Sequence, residues 1–179
     1  MVLTTERLLL REFRAVDWEA VHQYHNNPLY YRYYAHEGET AVQSRDFVQM
    51  FLDQQQARPR TKYQLAITVK GRDELIGNCG IRMETAVSFE GNIGYELNPK
   101  YWGYGYATEA AYAIVAFGFA ALNLHRISAQ CLAVNTASIN VLQKLGMKQE
   151  GRLRQNQQFK DSWWDTLLFG LLKDEWQNE

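Results

Sequence analysis

The segment Asn92–Thr108 contains the residues whose spacing most strongly suggests chemistry. It reads NIGYELNPKYWGYGYAT, a strand-like stretch that stops at Pro99, then a loop with Gly103 and Gly105, then a helix start. Glycine lets the backbone approach a ligand closely, and the first amides of a helix have no intrahelical partner. Those amides and the positive end of the helix dipole favour phosphate. The spacing predicts a diphosphate-binding loop, or alternatively a tight turn whose glycines serve only backbone geometry.

Two common phosphate-binding motifs are absent from this segment. A Walker loop requires GxxxxGK[ST], which the sequence lacks. A dinucleotide fingerprint requires GxGxxG or GxGxxA, and its last position falls on Thr108. It also requires an acidic residue at the end of the next strand, and the predicted strand Arg126–Ala133 contains none. The sequence therefore favours neither nucleoside triphosphate nor nicotinamide as a ligand.

A second informative segment is the predicted helix Asn135–Leu145, which Gly146 ends. Its apolar residues Val141 and Leu142 share one face with Asn135 and Ser138, so these two polar side chains also point towards the core. Buried polar groups need partners. Asn135 therefore either caps the helix or contacts a ligand beside it, and the sequence leaves both interpretations open.

Together the two segments resemble the acetyl-CoA site of the GNAT N-acetyltransferase superfamily. The resemblance rests on YELNP, KYWGYGYATEA and NTASINVLQKLGM, and it covers essentially the whole chain. TERLLLREF near the start and MKQEGRLRQ near the end are similar to the branch that contains ribosomal-protein N-terminal (alanine/serine) acetyltransferases. This resemblance implies the GNAT fold, an α/β fold with a mixed, mostly antiparallel sheet. The sheet is expected to splay at the acetyl-CoA site and to carry helices on both faces.

The resemblance also implies roles for individual residues. The family signature Q/R-x-x-G-x-G/A aligns with residues 102–107, and Trp102 stands where Gln or Arg is usual. Backbone amides of the loop would hold the diphosphate, and the strand would splay near Leu97, where its backbone pairs with pantetheine. Lys144 is a candidate for a CoA phosphate, or simply a lysine favourably placed in the last turn of a helix. The implied cofactor-binding residues are Leu97, Trp102, Gly103, Tyr104, Gly105, Tyr106, Ala107, Thr108, Asn135, Ser138 and Lys144.

Catalysis would require a proton acceptor for the amine and a proton donor for the leaving thiolate. Many relatives place a tyrosine on the second helix as the donor, but the matching position here is Leu142, which leaves Ser138 as the nearest substitute. Glu96 is the candidate base; in the predicted strand it alternates with Tyr95 and Leu97, and a solvated glutamate on the polar face is the alternative. At pH 7, deprotonating a lysine amine costs roughly 4.6 kcal/mol, whereas an α-amine costs only about 1–1.4 kcal/mol.

Two groups of side chains near the N-terminus have weaker interpretations. His22 and His25 lie on a predicted surface helix, Asp17–Asn26, and are expected to be solvated. The tyrosines at positions 30, 31, 33 and 34 either form a wall of an acceptor pocket or pack against the fold. Neither group by itself identifies a function.

The remaining elements must position these residues. Predicted strands comprise Leu8–Phe13, Gln64–Val69, Leu75–Met83, Asn92–Asn98, Arg126–Ala133, Met147–Phe159 and Trp163–Leu171. Predicted helices comprise Asp17–Asn26, Thr40–Gln56, Tyr106–Leu122 and Asn135–Leu145. The helix over Tyr106–Leu122 is apolar on nearly every side, which is typical of a helix buried between layers. This order predicts a mixed α/β sheet with helices on both faces.

Composition limits the class of protein. The chain has 179 residues, 46% of them hydrophobic, and a net charge of −1, which predicts one folded domain over residues 1–179. That charge balance gives no strong attraction to nucleic acid or to an anionic membrane. Cys79 and Cys131 are far apart and are expected to be small core residues, with no disulfide and no metal site. The N-terminus does not resemble a signal peptide, so a cytoplasmic location is expected.

The sequence therefore predicts an enzyme that moves an acetyl group from acetyl-CoA to a primary amine by direct transfer, without a metal. The favoured acceptor is a protein N-terminal α-amine, and a small amine such as a polyamine or an aminoglycoside is the alternative. A catalytically silent acyl-CoA sensor and a nucleotide-binding module remain as rivals. Whether the protein is a monomer or a homodimer is left open.

Overall fold

One eight-stranded sheet forms the centre of the protein, in a computed structural model that describes residues 1–176. In chain order its strands are β1 (Val2–Thr4), β2 (Leu8–Arg11), β3 (Lys62–Val69), β4 (Leu75–Arg82), β5 (Glu90–Leu97), β6 (Arg126–Leu132), β7 (Lys148–Phe159) and β8 (Ser162–Leu172). Their spatial order is β1-β2-β3-β4-β5-β6-β8-β7. Neighbouring strands run antiparallel except β5 and β6, which run parallel. The predicted mixed, mostly antiparallel sheet is confirmed.

The sheet opens between its two parallel strands. β5 pairs with β6 from Glu90↔Arg126 to Asn92↔Ser128, and within residues 1–176 the pairing extends no further. β5 remains paired with β4 as far as Leu97, while β6 remains paired with β8 as far as Leu132. The two strands therefore diverge, and a wedge forms after Asn92. The predicted splay is present, but it begins earlier in the strand than Leu97.

Helices cover both faces of the sheet, as predicted. They are α1 (Trp18–His25), α2 (Pro28–Tyr31), α3 (Ala41–Gln56), α4 (Tyr106–Ala120) and α5 (Thr136–Lys144). α4 lies against β4 and β5, whereas α1 and α3 pack on each other and against β4 and β3 on the opposite face. Two apolar cores result, one around α4 and one around α1 and α3. None of the helices in residues 1–176 combines the length and apolar character that crossing a membrane would require.

Close approach of α4 to the sheet depends on a small residue. A Cβ at Gly118 would lie 2.8 Å from Cδ1 of Ile81 and 2.9 Å from Cδ1 of Ile127, which is too close for carbon atoms. Ile114 and Val115, one turn earlier, are fully buried. This packing fixes the N-terminal end of α4 beside the wedge between β5 and β6.

Candidate active site

A cavity of about 500 Å³ occupies the wedge between β5 and β6. Its walls come from the segment after α2, the end of β5, the loop before α4, the end of β6 and the first turns of α5. Nearly all of the predicted site residues line it: Glu96, Leu97, Trp102, Gly103, Gly105, Tyr106, Ala107, Thr108, Asn135, Ser138 and Lys144. Tyr104 does not; its ring is 62% exposed. The fold thus brings the two informative sequence segments to one place.

The glycine loop has the backbone conformation that its sequence predicts. Gly103 has φ +84° and Gly105 has φ +80°, the left-handed region that favours glycine. Gly105 occupies the N-cap position of α4 and supplies no side chain to cap it. The amide of Glu109 donates to the carbonyl of Gly105, which is the first hydrogen bond of α4. The amides of residues 106–108 therefore have no intrahelical partner. They line the cavity and are suited to bind an anion.

Arg7, which the sequence does not single out, holds this loop from outside. Its Nη1 donates to the carbonyl of Tyr104 at 2.9 Å, and its Nε donates to Oε2 of Glu109 at 2.7 Å. The hydroxyl of Thr5 donates to Oε1 of the same carboxylate. Burial would raise the pKa of Glu109, but the bonds from Thr5 and Arg7 outweigh it and lower that pKa. Tyr104 therefore stabilises the loop through its backbone carbonyl, which accepts from Arg7 outside the cavity.

Trp102 closes the end of β5 with its indole ring. Its Nε1 donates to the carbonyl of Leu97 at 2.8 Å, and the ring is 37% exposed. Asn98 also fixes the turn, because its side chain accepts from the amide of Lys100. The carbonyl of Leu97, in the strand whose backbone is expected to pair with pantetheine, therefore already accepts one hydrogen bond from the protein.

Glu96 is buried against α1 rather than solvated on an open face. Its Oε1 accepts from the Tyr24 hydroxyl at 2.6 Å and from Nδ2 of Asn78 at 2.5 Å, and it lies 3.0 Å from Nε2 of His25. Its Oε2 accepts from the Tyr30 hydroxyl at 2.5 Å. A carboxylate offers about four acceptor positions, so Oε1 is saturated, whereas Oε2 with its one bond retains capacity. The solvated alternative is wrong because α1 covers this face of β5.

His25, expected to be solvated, is in fact 2% exposed. Its Nε2 faces Glu96, and its Nδ1 lies 2.9 Å from Oε2 of Glu39. Burial alone would lower the pKa of His25, but the two carboxylates outweigh it and raise that pKa. Burial would likewise raise the pKa of Glu96, yet the bond and charge of His25 and the two tyrosine hydroxyls lower it. The spacing of His25 to the buried Val21 is the sequence signal that could have placed it in the core.

A pair of hydroxyl groups lies across the cavity from this carboxylate. The Tyr95 hydroxyl is 2.9 Å from Oγ of Ser138, and it also donates to the Ser138 carbonyl at 3.1 Å. Leu142, the position at which the resemblance leads one to expect a tyrosine, is 1% exposed in the core. The phenol that bonds to Ser138 belongs instead to Tyr95 of β5. Burial raises the pKa of Tyr95, so the hydroxyl stays protonated at neutral pH.

The structure bears on two interpretations that the sequence leaves open: whether Asn135 caps a helix or contacts a ligand, and whether the tyrosines at positions 30, 31, 33 and 34 form a pocket wall or pack against the fold. Oδ1 of Asn135 accepts from the amide of Ser138 at 3.2 Å, which confirms a helix cap, and the residue also lines the cavity. Tyr30, Tyr33 and Tyr34 line the cavity, whereas Tyr31 does not. The carbonyl of Tyr31 instead accepts from Nζ of a lysine in the β7–β8 turn.

The cavity wall contains a cysteine. Cys131, predicted to be a core residue, is half-buried and lines the cavity, whereas Cys79 is buried as expected. Within residues 1–176, no cluster of His, Cys, Asp and Glu could hold a metal ion. The arrangement places an ionised carboxylate on one wall, a hydroxyl pair on the other and free amides at one end. It can accept a proton, donate a proton and bind an anion.

These features together define the class of protein. A mixed sheet that opens beside a glycine loop and a helix N-terminus has the architecture implied by the resemblance to acetyltransferases. The chain belongs to the GNAT acetyltransferase family, since residues 7–148 match the family model described as an acetyltransferase (GNAT) domain. It is an N-acetyltransferase of that family, and the predictions of fold and enzyme class are confirmed.

Relatives support this assignment over almost the full chain. The uncharacterized N-acetyltransferase p20 of Bacillus licheniformis is 37% identical over 175 residues, 97% of each chain. The crystal structure of a GNAT-family acetyltransferase from Bacillus anthracis is 32% identical with a TM-score of 0.83, covering 97% of this chain and 99% of that one. RimL, a ribosomal L7/L12 alpha-N-protein acetyltransferase in complex with coenzyme A, has a TM-score of 0.85 over 98% of this chain and 99% of its own. At 18% identity, RimL shows the fold alone.

Proposed function

We propose that the enzyme transfers an acetyl group from acetyl-CoA directly to a primary amine, and that its favoured acceptor is a protein N-terminal α-amine. The observation that carries the proposal is the position of Glu96, whose pKa is lowered and which lines the same cavity as the glycine loop. The amides of that loop suit the diphosphate of coenzyme A. RimL, which shares the fold, is named as a complex with coenzyme A.

The reaction forms one bond and breaks another. The neutral amine nitrogen attacks the thioester carbonyl, the C–N bond forms, and the C–S bond breaks as the thiolate leaves. The nitrogen loses its proton to Glu96, directly or through water, and the thiolate gains a proton from Ser138 or from water. No covalent enzyme intermediate is required.

The chemistry of Glu96 favours an α-amine over a lysine side chain. Because several donors and His25 stabilise its charge, the carboxylate is a weak base. A weak base suffices for an α-amine, whose deprotonation at pH 7 costs about 1–1.4 kcal/mol, but not for a lysine amine at roughly 4.6 kcal/mol. This difference supports an N-terminal acceptor of the ribosomal-protein kind.

The direct test is an acetyl-CoA consumption assay with mass spectrometry of the products. The acceptors would be a peptide with a free N-terminus and an internal lysine, the same peptide with its N-terminus blocked, a polyamine and an aminoglycoside. We expect one acetyl group on the α-amine of the free peptide and none on the blocked peptide. Modification of the polyamine or aminoglycoside alone would contradict the choice of acceptor. Binding of acetyl-CoA without turnover on any amine would indicate a silent sensor instead.

Replacing Ser138 with alanine tests the proton donor. We expect kcat to fall by roughly 10-fold, less than a typical general acid contributes, because a thiol of pKa ~8.5 leaves tolerably as thiolate. The helix cap should persist, since the bond to Asn135 uses the backbone amide of residue 138. Titration of acetyl-CoA separates the fall in kcat from any loss of the cofactor contact that the resemblance implies for Ser138. Thr136→Ala, in the same helical turn but not in the cavity wall, is the matched control. An unchanged kcat in Ser138→Ala would remove this residue from the mechanism.

A further inference from the structure

The cavity has an excess of positive charge that the reaction itself does not use. Arg32 and Lys144 line it, and Glu96 is the one carboxylate among the lining residues of the described chain. Glu96 is already engaged by the protein, since its Oε1 lies 3.0 Å from Nε2 of His25 and both of its oxygens accept from tyrosine hydroxyls. The two cations in the wall are therefore left for a ligand.

Arg32 is held in place without being neutralised. It follows α2 as the C-cap residue, and its Cζ lies 4.5 Å from the ring centroid of Tyr33 and 5.6 Å from that of Trp102. No carboxylate in residues 1–176 forms an ion pair with it. A guanidinium stacked on aromatic rings keeps the N–H groups at its edge free for hydrogen bonds. Arg32 is thus a positioned, unpaired cation.

The position of the Trp102 ring, on which Arg32 rests, indicates where the guanidinium acts. Trp102 immediately precedes Gly103, and its own indole is fixed by the bond to the Leu97 carbonyl. The guanidinium therefore rests on the side chain of the residue that immediately precedes the glycine loop. Arg32 lines the same cavity as the glycine loop and the first turn of α4, and a guanidinium, free loop amides and a helix N-terminus are all groups that bind a diphosphate.

We infer that Arg32 binds the diphosphate of acetyl-CoA, so that a side chain from the acceptor-side segment supplies the charge that Trp102 cannot. This inference rests on the proposed function, because it takes acetyl-CoA as the ligand.

The experiment is titration calorimetry of coenzyme A and of 3′-dephospho-coenzyme A with the wild type and with Arg32→Gln. We expect the variant to bind both ligands about 10–100-fold more weakly, the range for losing hydrogen bonds to a charged group. Because both ligands keep the diphosphate, the two losses should be equal. Arg32→Lys should restore part of the affinity, since it keeps the charge but loses the forked geometry. The affinity of the wild type should also depend more steeply on salt than that of Arg32→Gln.

A matched control exists in the same chain. Arg45 also rests on a tryptophan, with its Cζ 4.1 Å from the Trp18 ring centroid, but neither residue lines the cavity. Arg45→Gln should bind coenzyme A as the wild type does, and melting temperatures should show that all variants are folded. Equal affinity of Arg32→Gln and the wild type would overturn the inference, even if the KM for the amine rose. A wild type that binds no coenzyme A would instead overturn the proposed function, and the inference with it.

Discussion

Glu96→Gln is expected to lower kcat/KM for an α-amine substrate by about 10²–10³-fold, within the range for losing a general base. The amide has nearly the shape of the carboxylate, but it cannot take a proton. The affinity of the Glu96→Gln enzyme for acetyl-CoA should not change, because the glycine loop and not the side chain of residue 96 would hold the cofactor. The measurement is steady-state kinetics with a peptide acceptor, combined with titration of coenzyme A.

The pH dependence of the same variant follows from the direction of the pKa shift of Glu96 and from the ordinary pKa of the acceptor amine. The pKa of Glu96 is lowered, so the wild-type base is ionised throughout the neutral range. The rise of kcat/KM with pH should therefore follow the acceptor amine, with a midpoint near its pKa of ~7.7–8.0. In Glu96→Gln this dependence should persist at a much lower rate. A rising limb near pH 4–5 in the wild type would contradict a base that is already ionised.

Stability provides an independent check on this buried group. A lowered pKa in the folded state means that Glu96 contributes stability above the unfolded pKa, and that this contribution is lost as pH falls through the folded value. His25, with a raised pKa, contributes below its unfolded pKa and loses that contribution as pH rises through the folded value. The pair should therefore stabilise the fold most between about pH 4.5 and pH 6.5, the two unfolded values.

Glu39→Gln is the matched control for Glu96→Gln. Glu39 is the other carboxylate beside His25, but it does not line the cavity. Both variants should lower the pKa of His25 and the free energy of unfolding, because each removes one of its two anionic neighbours. Only Glu96→Gln should lose most of the activity. If Glu39→Gln lost as much, the effect would come from the stability of the buried cluster and not from a base.

The glycine loop and the helices beside the site could be predicted because their signals are local. Gly103 and Gly105 adopt positive φ values that other residues rarely take, and the helix after them begins where the sequence indicates. α5 and its cap by Asn135 are likewise encoded within one short segment. The order of strands and helices then sufficed to predict a mixed sheet with helices on both faces.

The partners of Glu96 could not be predicted because they come from distant parts of the chain. His25 meets Glu96, and Glu39 meets His25, only when α1 and the segment before α3 pack across β5. Tyr95 illustrates a second reason. Its alternation with Glu96 was predicted correctly, but an opening sheet turns what would be an apolar face into a cavity wall. Arg7 reaches the glycine loop from the β1–β2 turn, and the three-residue strand β1 was itself not predicted.

Gly103→Ala is expected to weaken the binding of acetyl-CoA by about 10–100-fold, through loss of charge-assisted bonds from the loop amides. The physical reason is backbone conformation. Gly103 has φ +84°, and a side chain in the left-handed region costs roughly 1–2 kcal/mol. The loop can relieve that strain only by rotating its peptides, which turns its amides away from the diphosphate. Titration of coenzyme A measures the affinity, and denaturant unfolding measures the stability.

Gly71→Ala separates strain from binding. Gly71, in the turn between β3 and β4, has φ +79°, and a Cβ at either glycine would meet no atom within 4 Å. The two substitutions therefore carry the same strain in equally open surroundings, and each should destabilise the fold by a similar amount. Gly71 does not line the cavity, so its variant should keep wild-type affinity for coenzyme A. Equal affinities in the two variants would mean that the loop amides do not hold the diphosphate, whatever their stabilities.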